Sequence, residues 1–273
     1  MASSLPALFD LTGHVAVVTG GAGRLGSQYA RTLAEAGARV AIFDLSAASP
    51  ALDELSGLDV LALAVDIVDR SAVQAAMDTV AVRLGAPSVL VNNAGMGSSP
   101  ADAGLETGPF EDYPETAWDT MIDSHLKGAF FVSQAFIRAY RAANRREGSI
   151  VNVSSTYGVV TPDQSLYDYR RRDGAVFFKP VGYSVAKSGV LNFTRWLAEY
   201  CAPFGIRVNT LVPGGVREDG HAPEFVTEYE KRTPLRRMAR ADDYNGAVLF
   251  LASPASSYMT GASLVVDGGW TAR

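Results

Sequence analysis

The chain has 273 residues, 48% of them hydrophobic, and its 24 Lys and Arg against 29 Asp and Glu give a net charge of -5. That length suits one large α/β core, and the absence of a long basic stripe excludes the electrostatic footprint of a nucleic-acid or anionic-membrane binder. Cys201 is the sole cysteine, so no internal disulfide forms, and His14, His125 and His221 are too scattered for metal-ligand spacing, so no metal is expected.

The opening stretch from Met1 to His14 lacks a basic region followed by an apolar core. No later run reaches the ~18 apolar residues of a bilayer span, and a cytoplasmic protein is expected. Short aliphatic runs predict seven strands, at 14–19, 39–44, 59–65, 88–93, 149–154, 206–212 and 263–267. Most are continuous rather than alternating, the pattern of strands covered on both faces of a parallel sheet. Helical patterns fall between them at 24–36, 70–84, 115–142, 183–202 and 241–252, with weaker ones at 51–55 and 222–231. Gly37, Gly85, Gly148 and Gly205 follow helical runs, where C-cap glycines sit. The alternation predicts a doubly wound α/β fold, a seven-stranded, mostly parallel sheet with helices on both faces, in one domain over 1–273.

After the first strand, Gly21, Gly23 and Gly26 fit a G-x-G-x-x-G fingerprint between a strand and a helix. The loop from Gly20 through Gly21, Gly23, Arg24, Leu25 and Gly26 is the candidate phosphate cradle, since backbone N–H groups at a helix start attract a pyrophosphate. The second strand ends in Asp44, about twenty residues on, where an acid bonds the adenosine ribose hydroxyls and repels a 2'-phosphate. NAD is therefore favoured, while Arg24 in the loop keeps NADP open as the alternative. No Gly-Lys-Ser/Thr follows, which rules out a P-loop.

Tyr183 and Lys187 lie four residues apart, on one face of the predicted helix. A fixed ammonium favours the phenolate over its ordinary pKa of ~10 and makes the tyrosine an acid/base near neutral pH. Alone, such a pair is commonplace on solvated helices. Joined to the glycine loop it is specific, because the chain resembles the short-chain dehydrogenase/reductase family along nearly its whole length. The resemblance rests on Thr19-Gly20, Asn92-Asn93-Ala94-Gly95, Ile150 to Ser155, Tyr183-Ser184-Val185-Ala186-Lys187, Arg207-Val208-Asn209 with Pro213-Gly214, and Val266 to Gly269.

The resemblance implies a Rossmann fold and an NAD(P)-dependent oxidoreductase that interconverts a secondary alcohol and a ketone. It casts Tyr183 as acid/base, Lys187 as its electrostatic partner and the holder of the nicotinamide ribose, and Ser155 as hydrogen-bond donor to the reacting oxygen. Asp66 and Ile67 match the position that meets adenine. Asn92, Asn93, Ala94 and Gly95 are expected to line the cofactor cleft, and Pro213, Gly214 and Val216 to lie against the carboxamide. Asn152 is read as a structural hydrogen-bonding residue. A homotetramer built on the long helices is also implied.

Three departures from the family pattern stand out. His125 occupies the place of an asparagine that supports a proton relay; a relay through its two nitrogens and a merely structural role are equally consistent with the sequence, and a pKa near ~6.5 would make activity pH-sensitive. The loop carries Arg24 where the family has glycine, and Glu218 stands where a threonine is usual. Between Ser155 and Tyr183 the chain is about fifteen residues longer than the family's usual spacing, a length that favours a functional loop. This insertion, about 157–181, offers Tyr157, Gln164, Tyr167, Asp168 and Arg170 to Arg172 as candidate substrate contacts, with a second substrate loop at about 215–235. Its start and the closing Asp267-Gly268-Gly269-Trp270 resemble members acting on sugars, sugar acids or polyols. The alternatives are a reductase of a 3-oxoacyl or hydrophobic ketone, and a cofactor-binding relative with little turnover.

Overall fold

The computed structural model describes residues 4–97, 106–172 and 176–272. Seven strands form one sheet: β1 Val15–Thr19, β2 Arg39–Asp44, β3 Val60–Ala64, β4 Val89–Asn92, β5 Gly148–Val153, β6 Ile206–Pro213 and β7 Ser263–Val266. Their order is β3-β2-β1-β4-β5-β6-β7, and every neighbouring pair is parallel. The sheet is thus wholly, rather than mostly, parallel. The chain leaves β1 for β2 and β3, then crosses back to place β4 on the other side of β1. A crevice opens at the carboxyl ends of the strands where that direction reverses.

The helices of eight or more residues are α1 Arg24–Glu35, α2 Arg70–Arg83, α3 Glu115–Ile122, α4 Gly128–Ala142, α5 Val181–Cys201, α6 Pro223–Arg232 and α7 Asn245–Ala252. Successive strand residues point to opposite faces, so β1 sends Val15 and Val17 into a core with Met77, Phe136 and Leu197, and Ala16 and Val18 into another with Tyr29, Leu33 and Leu251. Each large aliphatic side chain so buried contributes roughly 1.5–3 kcal/mol, which explains why the strands read as continuous apolar runs.

The sequence pattern at 115–142 is one helical run with an internal irregularity: Asp123–Lys127 forms a π turn between α3 and α4. Such a turn adds a residue and rotates the side chains that follow it. The helix expected from 183 begins at Val181, after Pro180 in an extended conformation. Short helical pieces at Thr156–Val159, Gln164–Tyr167 and Asp168–Arg172 give the insertion its shape. Runs of four or five residues are too brief to show helical periodicity.

A buried polar chain crosses the sheet. Asn92 Nδ2 donates to Ser133 Oγ (3.0 Å) and Asn152 Oδ1 (2.8 Å), Asn152 Nδ2 donates to Thr194 Oγ1 (2.9 Å), and the Thr194 and Thr210 hydroxyls bond at 2.7 Å. Five elements, β4, α4, β5, α5 and β6, are tied together by these bonds. A third apolar cluster, Leu166, Tyr167, Phe177, Phe225, Val226, Tyr229 and Met238, joins the insertion to α6 beyond the strand ends.

Candidate active site

One cleft of about 1040 Å³ runs across the carboxyl ends of the strands. Its first wall is the glycine loop. Gly20 adopts φ +64°, and a Cβ there would press on Ala94 Cα at 2.8 Å. A side chain at Gly26 would overlap the Gly20 carbonyl, so α1 packs on the loop only because that position is bare. Gly20, Gly23, Arg24 and Leu25 line the cleft. Gly21, which faces Ile42, and Gly26 are packing glycines instead. Gly23 caps α1 with no side-chain bond, leaving first-turn N–H groups for an anion. These bare positions and open donors fit a dinucleotide pyrophosphate.

Asp44 reaches the loop from β2, its Oδ2 accepting a bond from Ala22 N at 2.9 Å. Asp66, Ile67, Asn93, Ala94, Gly95, Pro213, Gly214 and Val216 line the same cleft. Asn93 also ties the loop to β4, Nδ2 donating to the carbonyls of Thr19 and Gly20 at 3.1 and 3.2 Å. Asn92 is a correction to the sequence reading: it does not line the cleft but turns inward to the buried polar chain, because adjacent strand residues face opposite ways. Arg24 Nη1 donates to the Arg217 carbonyl at 2.8 Å and lies 3.9 Å from Glu218 Oε1, joining the two lips of the cleft.

At the other end the cleft is lined by Ser155, Tyr183, Lys187 and His125. Ser155 follows β5 and caps the short helix at Thr156, its Oγ accepting from Tyr157 N at 3.2 Å. The neighbouring Ser154 Oγ donates to the Lys187 carbonyl at 2.7 Å, fastening this turn to α5. Tyr183 stands in the first turn of α5, with Lys187 one turn on. Lys187 Nζ donates to the Val153 carbonyl at 2.9 Å and lies 5.9 Å from the Tyr183 ring centre. Burial lowers the Lys187 ammonium from 10.5 to about 8, since desolvation penalises the charge.

His125 comes from the π turn and meets Tyr183 edge to face at 5.3 Å between ring centres. It is buried, its ring lies within reach of the Met96 backbone, and among the described residues no side chain bonds either ring nitrogen. Burial first, then the Lys187 charge, hold its pKa well below 6.5, so the ring is neutral at physiological pH and the expected titration near ~6.5 is displaced downward. Gly95 makes room for it, as a Cβ there would overlap Nδ1.

Of the insertion candidates, Tyr157 and Tyr167 line the cleft, whereas Gln164 and Arg170 do not. Gln164 Oε1 accepts from Lys179 N at 2.9 Å, and the Arg170 guanidinium lies 4.7 Å from the Phe177 ring centre; both brace the insertion from outside. Sequence reasoning passed over Lys179, His221, Phe225 and Tyr229, which complete the wall. The signal available was the placement of Lys179 four residues before Tyr183, just ahead of the helix start.

Comparison with known proteins agrees with this geometry. A family model described as enoyl-(acyl carrier protein) reductase matches residues 20–271. Cis-4-hydroxycyclohexanecarboxylate dehydrogenase of Sinomonas cyclohexanicum is 36% identical, covering 95% of this chain and 97% of its own. A 3-alpha-(or 20-beta)-hydroxysteroid dehydrogenase of Mycobacterium bovis is 34% identical over 96% of this chain and 91% of that protein. D-arabinitol 2-dehydrogenase of Candida tropicalis is 33% identical over 96% and 94%. Among solved structures, a short-chain dehydrogenase from Leptospira borgpetersenii with bound NAD+ has a TM-score of 0.84 at 30% identity, covering 99% of this chain and 97% of that one. A gluconate 5-dehydrogenase from Burkholderia cenocepacia in complex with NADP and tartrate gives 0.83 at 29% identity, covering 99% and 100%. Glycine loop, Ser-Tyr-Lys set and matched relatives converge on one assignment: the chain is an oxidoreductase that belongs to the short-chain dehydrogenase/reductase family.

Proposed function

We propose that the protein interconverts a secondary alcohol and a ketone on a small polar substrate, a polyol, sugar acid or other hydroxy acid, using NAD. The observation that carries this reading is the meeting of Ser155, Tyr183 and Lys187 in the cleft that begins at the glycine loop. Relatives named for a hydroxycyclohexanecarboxylate, arabinitol and gluconate support the substrate class. A bound nicotinamide supplies the hydride acceptor. Tyr183 takes the hydroxyl proton, Ser155 donates a hydrogen bond to the same oxygen, and the Lys187 ammonium stabilises the phenolate. His125, neutral and wedged against Tyr183, passes that proton on through a water held by a ring nitrogen.

The test of the activity is absorbance of the reduced nicotinamide across sugars, sugar acids, hydroxy acids and polyols, with NAD and NADP in parallel. No absorbance change with any secondary alcohol, despite cofactor binding, would leave a binding protein instead. Asp44 supports NAD, because its carboxylate stands at the loop where a 2'-phosphate would lie. Replacing Asp44 with Ala is expected to move the NAD-to-NADP preference toward NADP by roughly 10- to 100-fold, read as the ratio of kcat/KM values.

The relay gives a second expected result. His125→Ala lowers kcat roughly 10- to 100-fold with little change in cofactor KM, and His125→Asn recovers part of it. Because His125 is held neutral, its removal takes no limb from the rate profile between about pH 6 and pH 9. Equal turnover of His125→Ala and wild type assigns the ring a packing role. The exposed apolar residues of α5, Val185, Trp196 and Tyr200, support the homotetramer, which sedimentation measures directly. Among the described residues no helix is long and apolar enough to cross a membrane, in keeping with a place in the cytoplasm.

A further inference from the structure

Five aromatic rings form a continuous run beyond the strand ends. Phe177, Tyr167, Phe225, Tyr229 and Trp270 follow one another with centre-to-centre distances of 4.7, 5.7, 5.9 and 4.4 Å. The run is drawn from separate parts of the chain: the insertion gives the first two rings, α6 the next two, and the segment after β7 the last. Its three middle rings, together with Tyr157 and Met238, line the cleft. Tyr157 stands close to the acid/base, since the Lys179 ammonium lies 5.6 Å from its ring centre and 5.3 Å from that of Tyr183.

The polar tips of these rings are taken up within the protein. Tyr229 Oη accepts from Gly215 N at 2.6 Å, and the Tyr157 and Tyr167 hydroxyls share a hydrogen bond. Burial raises the pKa of all three phenols, so they stay neutral. Phe225, between Tyr167 and Tyr229, has no polar tip at all. The charged groups at this end are engaged and of both signs: Glu218 lies 3.9 Å from Arg24 and from His221, while Lys179 sits against the two tyrosine rings. Opposite charges there favour neither sign of substrate, whereas the aromatic surface is all of one kind.

The negative face of an aromatic ring attracts C–H groups and disfavours oxygen lone pairs. A hydroxyl pressed onto such a wall loses its water without gaining a partner. A saturated six-membered ring with equatorial substituents avoids that cost, because its hydroxyls stay at the rim and its face is made of axial C–H bonds. An open chain turns its hydroxyls to all sides as its torsions rotate, and must freeze those torsions to match a flat wall.

We propose that this run of rings is a platform for the C–H face of a cyclic substrate. The favoured substrates are then secondary alcohols borne on a saturated ring, a cyclitol, a cyclic sugar or a hydroxycycloalkane acid, rather than open-chain polyols and hydroxy acids. This rests on the dehydrogenase reading above and narrows it. The reacting carbon sits at Ser155 and Tyr183, and the rest of the substrate ring lies along Tyr157, Tyr167, Phe225 and Tyr229. Phe225, at the centre of the run, is the specificity residue.

The test measures equilibrium binding by calorimetry in the presence of NADH, with three pairs matched in carbon number and polar groups: scyllo-inositol against D-glucitol, cis-4-hydroxycyclohexanecarboxylate against 6-hydroxyheptanoate, and cyclohexanol against 2-hexanol. At least one ring is expected to bind wild type about tenfold more tightly than its open-chain partner. Rigidity alone favours a ring on any surface, so the platform is read from Phe225→Leu and Phe225→Met, which keep an apolar side chain and lose the aromatic face. Either variant is expected to lower the preference by about threefold or more, weakening the ring and leaving the open chain nearly unchanged. Circular dichroism and NADH affinity report whether each variant is folded. Equal binding within all three pairs, no binding of any ring compound, or a folded variant that keeps the wild-type preference overturns the proposal. Binding is read without turnover, so a ring preference without any oxidation counts against the dehydrogenase reading and leaves the platform standing. Oxidation with equal binding within every pair removes the platform and leaves the dehydrogenase.

Discussion

Tyr183→Phe is expected to lower kcat about 1000-fold while leaving NADH affinity within about threefold of wild type. The hydroxyl is the group that exchanges a proton with the substrate, and its removal leaves a ring of nearly the same volume against His125 and Lys179. The start of α5 after Pro180 is set by backbone geometry, and circular dichroism of the variant checks that the fold is kept. Stopped-flow fluorescence of NADH binding, measured beside steady-state turnover, separates the two effects. A variant with more than about a tenth of wild-type kcat would move the proton transfer to another group.

Lys187→Met is expected to abolish turnover to a similar degree but with an opposite signature in stability. The ammonium is fully buried at a cost that lowers its pKa from 10.5 to about 8. Between those values the unfolded chain binds a proton that the folded chain releases, so the stability of wild type relative to the variant should rise with pH from about 8 to about 10.5, while Cys201 and the buried tyrosines, whose pKa values burial raises, act with the opposite sign above about 9 in both proteins. Across that window the gain is roughly 3 kcal/mol, at ~1.4 kcal/mol for each unit of pKa. The variant lacks this group and this contribution. Below pH 8 the variant sheds the desolvation cost but leaves the Val153 carbonyl without its donor, a loss of roughly 1–3 kcal/mol that offsets much of the benefit. Denaturant unfolding of the cofactor-free proteins at several pH values provides the comparison, and parallel pH profiles for wild type and variant would place the ammonium in water rather than in the interior.

Much of this architecture was legible in the residues. The strands stood out because both faces of the sheet are covered, so that β1, β2 and β4 are nearly unbroken apolar runs. The glycine loop and the Tyr183-Lys187 pair were readable because each depends on short-range spacing within one turn. Asn92 was misplaced for a physical reason: motif position groups it with Asn93, but strand alternation turns the two side chains apart. Lys179, His221 and Tyr229 escaped notice because they meet only after irregular segments fold back over the strand ends, a long-range juxtaposition that no local period encodes. The neutrality of His125 was likewise hidden, as it follows from burial and from a lysine on a different helix.

The anchoring of the insertion has a consequence for how such a protein can change. Its entry is secured by Ser154 to the Lys187 carbonyl and by Ser188 Oγ donating to the Gly158 carbonyl at 2.9 Å, and its exit by the start of α5. The length of the stretch between costs little, because closure entropy grows only by about 0.6 kcal/mol for each doubling. New selectivities can therefore be sampled by exchanging that stretch while the proton-transfer apparatus stays still. The enzyme is in this sense two inheritances in one chain, a conservative machine for moving a hydrogen and an experimental mouth that decides whose hydrogen it is.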